Sequence, residues 1–300
     1  MTHENKAQAL LDSPAGCAFL LEVAANRHLP LESFASPKVS FWLAASAIDF
    51  ADVNRNAGWQ EIALREARSY ESLALQIASN SAFDWWYEPV DLGAQVWSSP
   101  QMSHGTDRSS PLEPFLPERW GRPRPRDFQS INPQPTSSQH TSTLRDGSTS
   151  EWTTFVLGAG DHLCSFPLAA WRVRFIQDVR VWEINHSADW HSLCAEYPRK
   201  ASDGRLVPDW QKVAHDWDGV HLTLGGMLSS EQARYEQAHG WSMLQFWHSE
   251  QTHWLNRLAI TGERMPDVQR FHNEQSFNTY PYDFEELFGF PESLTLPPER

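Results

Sequence analysis

Glu250 is the carboxylate in this chain with the best claim to chemistry. His248 and His253 flank it, and two apolar segments precede it, Val220-His221-Leu222-Thr223-Leu224 and Trp241-Ser242-Met243-Leu244-Gln245-Phe246-Trp247. A strand, an amphipathic insert and a second strand ending in a carboxylate would hold one acid in a cleft. A fixed carboxylate beside developing positive charge is a device for electrostatic catalysis. The competing reading of Glu250 is a surface acid paired with Arg257 or a histidine. His221, inside an apolar strand, reads as a hydrogen-bonded core histidine rather than a ligand.

Other chemistries find less support. The chain has 13 histidines, but His248 and His253, like His186 and His191, are five residues apart. That spacing does not put two ligands on one helical face, and HExxH and Cys-His knuckles are missing, so no metal is expected. There is no Gly-x-Ser-x-Gly elbow, P-loop or GxGxxG. Cys164 and Cys194, near His162 and His191, read as buried structural cysteines. Arg119, Arg122, Arg124 and Arg126 are the dense basic run. A guanidinium cluster suits a pyrophosphate, and the plainer reading is a solvated loop paired with acidic neighbours.

The elements that must position these residues fall into a helical half and a β-rich half. Ser13-Pro14 and Ser36-Pro37 each supply a cap followed by proline at the first helical position. Cys17, Leu20, Leu21 and Ala24 recur at helical spacing. A third helical segment runs from Trp59 to Ala78. Phe83-Asp84-Trp85-Trp86-Tyr87 reads as an aromatic pin that fixes the helices to the next part of the chain. Gln95–Ser98 is a first strand. Residues 99–150 hold eight prolines and many serines and threonines, the signature of a long loop or lid. Trp171–Phe175 and Val179–Ile184 alternate with period two and are strands, with a hairpin across Gln177-Asp178 as one way to join them. Helices follow from Ser187 to about Glu196 and from Pro208 to Asp216.

Composition bounds the partners. The chain has 300 residues, net charge -14, three separated cysteines and 15 tryptophans. The negative charge disfavours nucleic acid and anionic lipid. Sparse cysteines suggest a reducing compartment. With neither a signal pattern nor a spanning apolar run, a cytoplasmic protein is expected.

From residue 140 onward the order of elements resembles the ADP-ribosyltransferase fold. Thr141-Ser142-Thr143 matches that family's Ser-Thr-Ser-like strand, and Glu250 matches its catalytic glutamate. The resemblance covers about 120 residues. It implies an enzyme that binds NAD as substrate, in which Glu250 holds the nicotinamide ribose and stabilises oxocarbenium-like charge as nicotinamide leaves. It further implies that Thr141, Ser142 and Thr143 support the cleft, that Arg122 and Arg124 hold the pyrophosphate, and that Trp152 or Trp247 stacks on a ring. The first-strand arginine or histidine has four candidates, His104, Arg122, Arg124 and His140. Where the family can carry Gln or Glu two residues before the catalytic glutamate, this chain has His248.

The fold expected is α+β: a helical region at 1–82, a proline-rich connector or lid at 83–139, a mixed β/α domain with small antiparallel sheets at 140–262, and a surface-wrapping tail at 263–300. The expected function is an NAD-dependent transferase or NAD glycohydrolase acting on a protein or small-molecule acceptor. A reading from another class is a non-enzymatic, acidic, tryptophan-rich interaction protein, such as an inhibitor or assembly factor, that binds a protein partner. The enzyme needs Glu250 and Thr141–Thr143 at one pocket; the interaction protein needs an exposed tryptophan patch.

Overall fold

The structure is a computed structural model that describes residues 1–101, 140–145, 150 and 165–268, apart from 52, 202, 238–239, 246, 257 and 259. It is an α+β fold. Five helices come first: α1 (His3–Leu11), α2 (Pro14–Ala25), α3 (Pro37–Ala51), α4 (Val53–Ala67) and α5 (Glu71–Ser79). α2 and α3 start where Ser13-Pro14 and Ser36-Pro37 place them, whereas α4 starts at Val53, ahead of the expected Trp59. Thr2 caps α1 by accepting from Asn5 N–H at 3.2 Å. Ser13 caps α2 by accepting from Gly16 N–H at 2.8 Å, with Pro14 at the first position. The expected segment from Trp59 to Ala78 is instead two helices, α4 and α5, separated by a 3-10 turn at Arg68–Tyr70.

Phe83–Tyr87 lies in a 3-10 helix, Ser81–Tyr87, and its Tyr87 ring packs against Gly225 in the later part of the chain. Trp86 is fully buried and meets Phe19 and Phe83 edge-on at 5.1 and 4.8 Å. Its indole N–H donates to Ser40 Oγ at 3.2 Å, which satisfies the polar end of a large apolar ring.

The β-rich half is built on a seven-stranded sheet. Its strands are β1 (Gln95–Gln101), β2 (His140–Thr143), β3 (Ser165–Phe175), β4 (Val181–Ile184), β7 (Gly219–Leu222), β10 (Gln251–Trp254) and β11 (Ile260–Arg264), in the order β11-β3-β1-β2-β10-β7-β4. All pairs are antiparallel except β4 with β7. Two antiparallel ribbons accompany it: β5 (Pro198–Lys200) with β6 (Leu206–Pro208), and β8 (Arg234–Gln237) with β9 (Gly240–Met243). Three helices connect these strands: α6 (Ser187–Glu196), α7 (Trp210–Asp216) and α8 (Leu224–Ser230).

Two sequence expectations about pairing are corrected. β3 and β4 do not form a hairpin: β3 lies between β1 and β11, and β4 is the edge strand beside β7. Alternation identifies a strand but carries no information about its neighbour, and Gln177-Asp178 lacks the glycine or asparagine that a two-residue hairpin turn favours. Glu250 also does not end a strand. The segment from Trp241 pairs back on β8, and Glu250 stands immediately before β10.

Register divides the sheet into two faces. Ile184, Val220 and Leu222 lie on the face that joins the helical core, together with Phe19, Trp86, Trp190 and Trp247. The cross-strand partners Glu183↔His221, His221↔Thr252, Thr252↔Thr141 and Gln95↔Thr143 share the other face. There the apolar cluster is smaller, with Val173, Trp254, Leu258 and Ile260. Polar residues therefore accumulate on the face away from the helices.

Helix α8 locks the two halves together through paired glycines. A Cβ on Gly226 would stand 2.0 Å from the carbonyl oxygen of Ile184, and one on Gly225 would stand 2.3 Å from the Tyr87 ring. The contact at Gly226 is with backbone, so a rotamer change cannot relieve it. Gly226→Ala is expected to destabilise the fold by about 2–3 kcal/mol. Urea denaturation reads this directly, with Gly204→Ala as control, since a Cβ there meets no neighbouring atom within 4 Å and only its φ of +86° opposes substitution.

Candidate active site at Glu250

The approach to Glu250 is a tight turn. His248 has φ +53°, in the left-handed region, and Ser249 N–H donates to Trp247 O at 2.6 Å. Histidine tolerates this region better than most side chains. The turn brings the chain back into the sheet at Gln251 and sets Glu250 beside β2.

Glu250 is 2 % exposed. Ser142 Oγ–H donates to its Oε2 at 2.7 Å, and Thr143 Oγ1–H donates to its Oε1 at 2.7 Å. The backbone N–H of Thr143 adds a bond to Oε2 at 3.1 Å. His221 Nε2–H donates to Oε1 at 3.0 Å, and its Nδ1–H donates to Glu183 Oε2 at 2.5 Å. Ionised carboxylates only accept, so a histidine bonded to two of them carries a proton on both nitrogens. His221 is thus an imidazolium set between two acids.

With His221 on β7 and Glu183 on β4, the network reaches across five strands, the others being β10, β2 and β1. Trp254 Nε1–H donates to Thr141 Oγ1 at 2.8 Å, Thr141 donates to Gln95 Oε1 at 2.5 Å, and Gln95 Nε2–H donates to Thr143 Oγ1 at 3.0 Å. Each hydroxyl accepts one bond and passes the next one on, so the series Trp254, Thr141, Gln95, Thr143 ends on the Glu250 carboxylate. Bonds aligned in this way polarise one another towards an anion.

The charge states follow from these contacts. Burial opposes the charge on His221, but the carboxylates of Glu183 and Glu250 outweigh it and hold the imidazole up at about 9. Burial also pushes Glu250 up, and His221 with the Thr143 and Ser142 hydroxyls reverses this, leaving the acid below its ordinary 4.5. His140 and His253, on the opposite face with ring centroids 5.7 Å apart, are driven the other way. Burial lowers His140 to about 4, and burial together with the neighbouring His140 lowers His253 well below its ordinary 6.5.

These directions give a pH dependence of stability. His221 binds its proton more tightly when folded, so its contribution is complete below pH 6.5 and is lost as pH rises through about 9. His140 and His253 bind theirs less tightly when folded, so their effect sets in as pH falls below 6.5. Glu250 reinforces the acid loss below 4.5. Unfolding free energy is expected to peak near pH 6.5, with the acid limb about twice as steep as the alkaline one because two histidines act against one. Chemical denaturation between pH 5 and 9 measures it, and a flat profile would contradict these charge states.

Of the residues singled out by sequence, the structure brings Glu250, Ser142 and Thr143 into direct contact and connects Thr141 to them through Gln95. Arg122, Arg124 and Trp152, like His104 and Arg257, lie outside the described residues. Glu250 is not the surface acid of the competing reading; it is buried, with His221 as its histidine partner. Trp247 is buried among Trp190 and His253, in edge-on contact with both. Sequence reasoning missed Glu183 and Gln95. Their signal was a polar side chain at an inward parity of an apolar strand, which becomes visible only once register is known. Directly after Thr143, Leu144 and Arg145 line a cavity of about 520 Å³ with Glu32, Ser36 and Trp85.

Comparison with protein-family models, with curated proteins and with solved structures returned no match. Among the described residues no helix is long and apolar enough to cross a membrane.

Proposed function

We propose that this chain is an NAD-consuming enzyme of the ADP-ribosyltransferase type, acting as a transferase or as an NAD glycohydrolase. The observation that supports this reading is the contact of Glu250 with Ser142 and Thr143, residues more than a hundred positions earlier in the chain. In the reaction, the bond from ribose C1′ to the nicotinamide nitrogen breaks and its electron pair leaves with nicotinamide. The cationic sugar is stabilised by the Glu250 carboxylate. A nucleophile, either water or a hydroxyl or amine of an acceptor, attacks C1′ and gives up its proton.

A carboxylate kept anionic in a desolvated setting is worth more to a developing cation than one in water. Substrate binding on this reading exchanges the Ser142 and Thr143 hydroxyls on Glu250 for those of the ribose, donor for donor. Arg122 and Arg124 are assigned to the pyrophosphate and Trp152 to ring stacking.

The interaction-protein reading has less support. Among the tryptophans whose side chains are described none is exposed, and the exposed large apolar side chains described are Met1, Ile62, Leu75 and Ile176. The test is calorimetric titration with NAD together with assay of nicotinamide release. Binding with release is expected. Absence of both at millimolar NAD would overturn the enzyme reading.

A further inference from the structure

We propose that Glu183 is a positioning residue for Glu250, acting through His221: the partly exposed acid on edge strand β4 fixes the imidazole, and the imidazole fixes the buried carboxylate. This rests on the reading of Glu250 as the acid that meets the sugar.

Glu183 does not touch Glu250. Its Oε2 accepts from His221 Nδ1–H at 2.5 Å while its Oε1 accepts from Val90 N–H at 3.0 Å. Both oxygens are held, one by the imidazole and one by the backbone that leads from the helices into β1. The imidazole ring then has no rotational freedom, and its Nε2–H is directed at Glu250 Oε1. The Glu183 side chain is 24 % exposed, whereas His221 at 0 % and Glu250 at 3 % are both buried. Solvent reaches one end of the series, and the carboxylate that needs a fixed place lies at the other.

Charge gives the same direction. Without Glu183, the histidine has one carboxylate for its proton instead of two, in a setting where burial opposes the charge. Among the described residues, the charged groups bonded to His221 are Glu183 from β4 and Glu250 from the segment before β10. On β2 the neighbours of the site are the uncharged Ser142 and Thr143, and His140 and His253 belong to the opposite sheet face.

The experiment uses the full chain and Glu183→Gln, whose amide oxygen can still accept from Val90. Wild type and variant are compared by pH profiles of nicotinamide release and by ¹⁵N NMR of the His221 ring. The expected variant has kcat about tenfold lower with KM within about twofold, an alkaline limb moved down by about one pH unit, and the His221 midpoint lowered in step. An unchanged His221 midpoint, or an unchanged kcat and alkaline limb alongside a lowered Tm, would overturn the proposal by making Glu183 a stabilising residue only. If the wild type releases no nicotinamide, the NAD reading fails and the positioning role in catalysis fails with it. The NMR comparison still separates that result, because a lowered midpoint in Glu183→Gln shows the coupling intact where the chemistry was misassigned.

Discussion

Glu250→Gln is expected to lower nicotinamide release from NAD by about 10²–10³-fold, equivalent to about 2.7–4 kcal/mol of transition-state stabilisation. Glutamine keeps the shape, and an amide oxygen in the place of Oε2 can still accept from Ser142 Oγ–H and Thr143 N–H. What it loses is the negative charge, which matters most when the sugar is cationic. NAD affinity, set by the ground state, is expected to change only a few-fold, so the loss appears in kcat. A thermal melt run alongside shows whether the variant is folded. A folded variant with kcat within threefold of wild type would remove Glu250 from the chemistry.

His221→Ala is expected to cost about 3–5 kcal/mol of stability at pH 7, because removing one member of a buried ion pair leaves the other without compensation. The orphaned member is Glu250, with a side chain 3 % exposed. It responds by taking up a proton, and at neutral pH that protonation itself costs free energy. The defect should therefore shrink at pH 5. His221→Phe combined with Glu250→Leu should recover most of the loss, since a buried pair can often be replaced by apolar side chains at little cost. A single-variant cost below about 1 kcal/mol at pH 7 would show that no charged pair exists here.

Much of the helical half was legible in the sequence because its signals are local. Ser13-Pro14 and Pro37 mark helix starts within a few residues of themselves, and the aromatics at Phe83–Tyr87 declare a core by their bulk. The β-rich half was legible as strands and not as a sheet. Trp171–Phe175 and Val181–Ile184 show their alternation, yet their partners lie at β1, β11 and β7, far along the chain. Alternation also leaves open which parity faces the site, so nothing in the sequence marked Glu183 or Gln95. Glu250 was singled out by its place after two apolar segments and the triplet Thr141–Thr143 by resemblance, and their direct contacts were visible only in the structure. The left-handed turn at His248, which places Glu250 before β10 and not after a strand, left no local mark beyond a histidine.

The position of β10 also fixes an order of events during synthesis. It is the fifth strand of seven across the sheet, between β2 and β7, and both of those neighbours precede it in the chain. Until Gln251–Trp254 leaves the ribosome, β2 and β7 present two bare edges, and Glu183 and His221 have no third partner. Pairing over such long sequence separations is slow, and unpaired edges invite association with other chains. The nascent protein must therefore keep its β segments apart while its helices condense, and Glu250 arrives with the last pieces of the sheet.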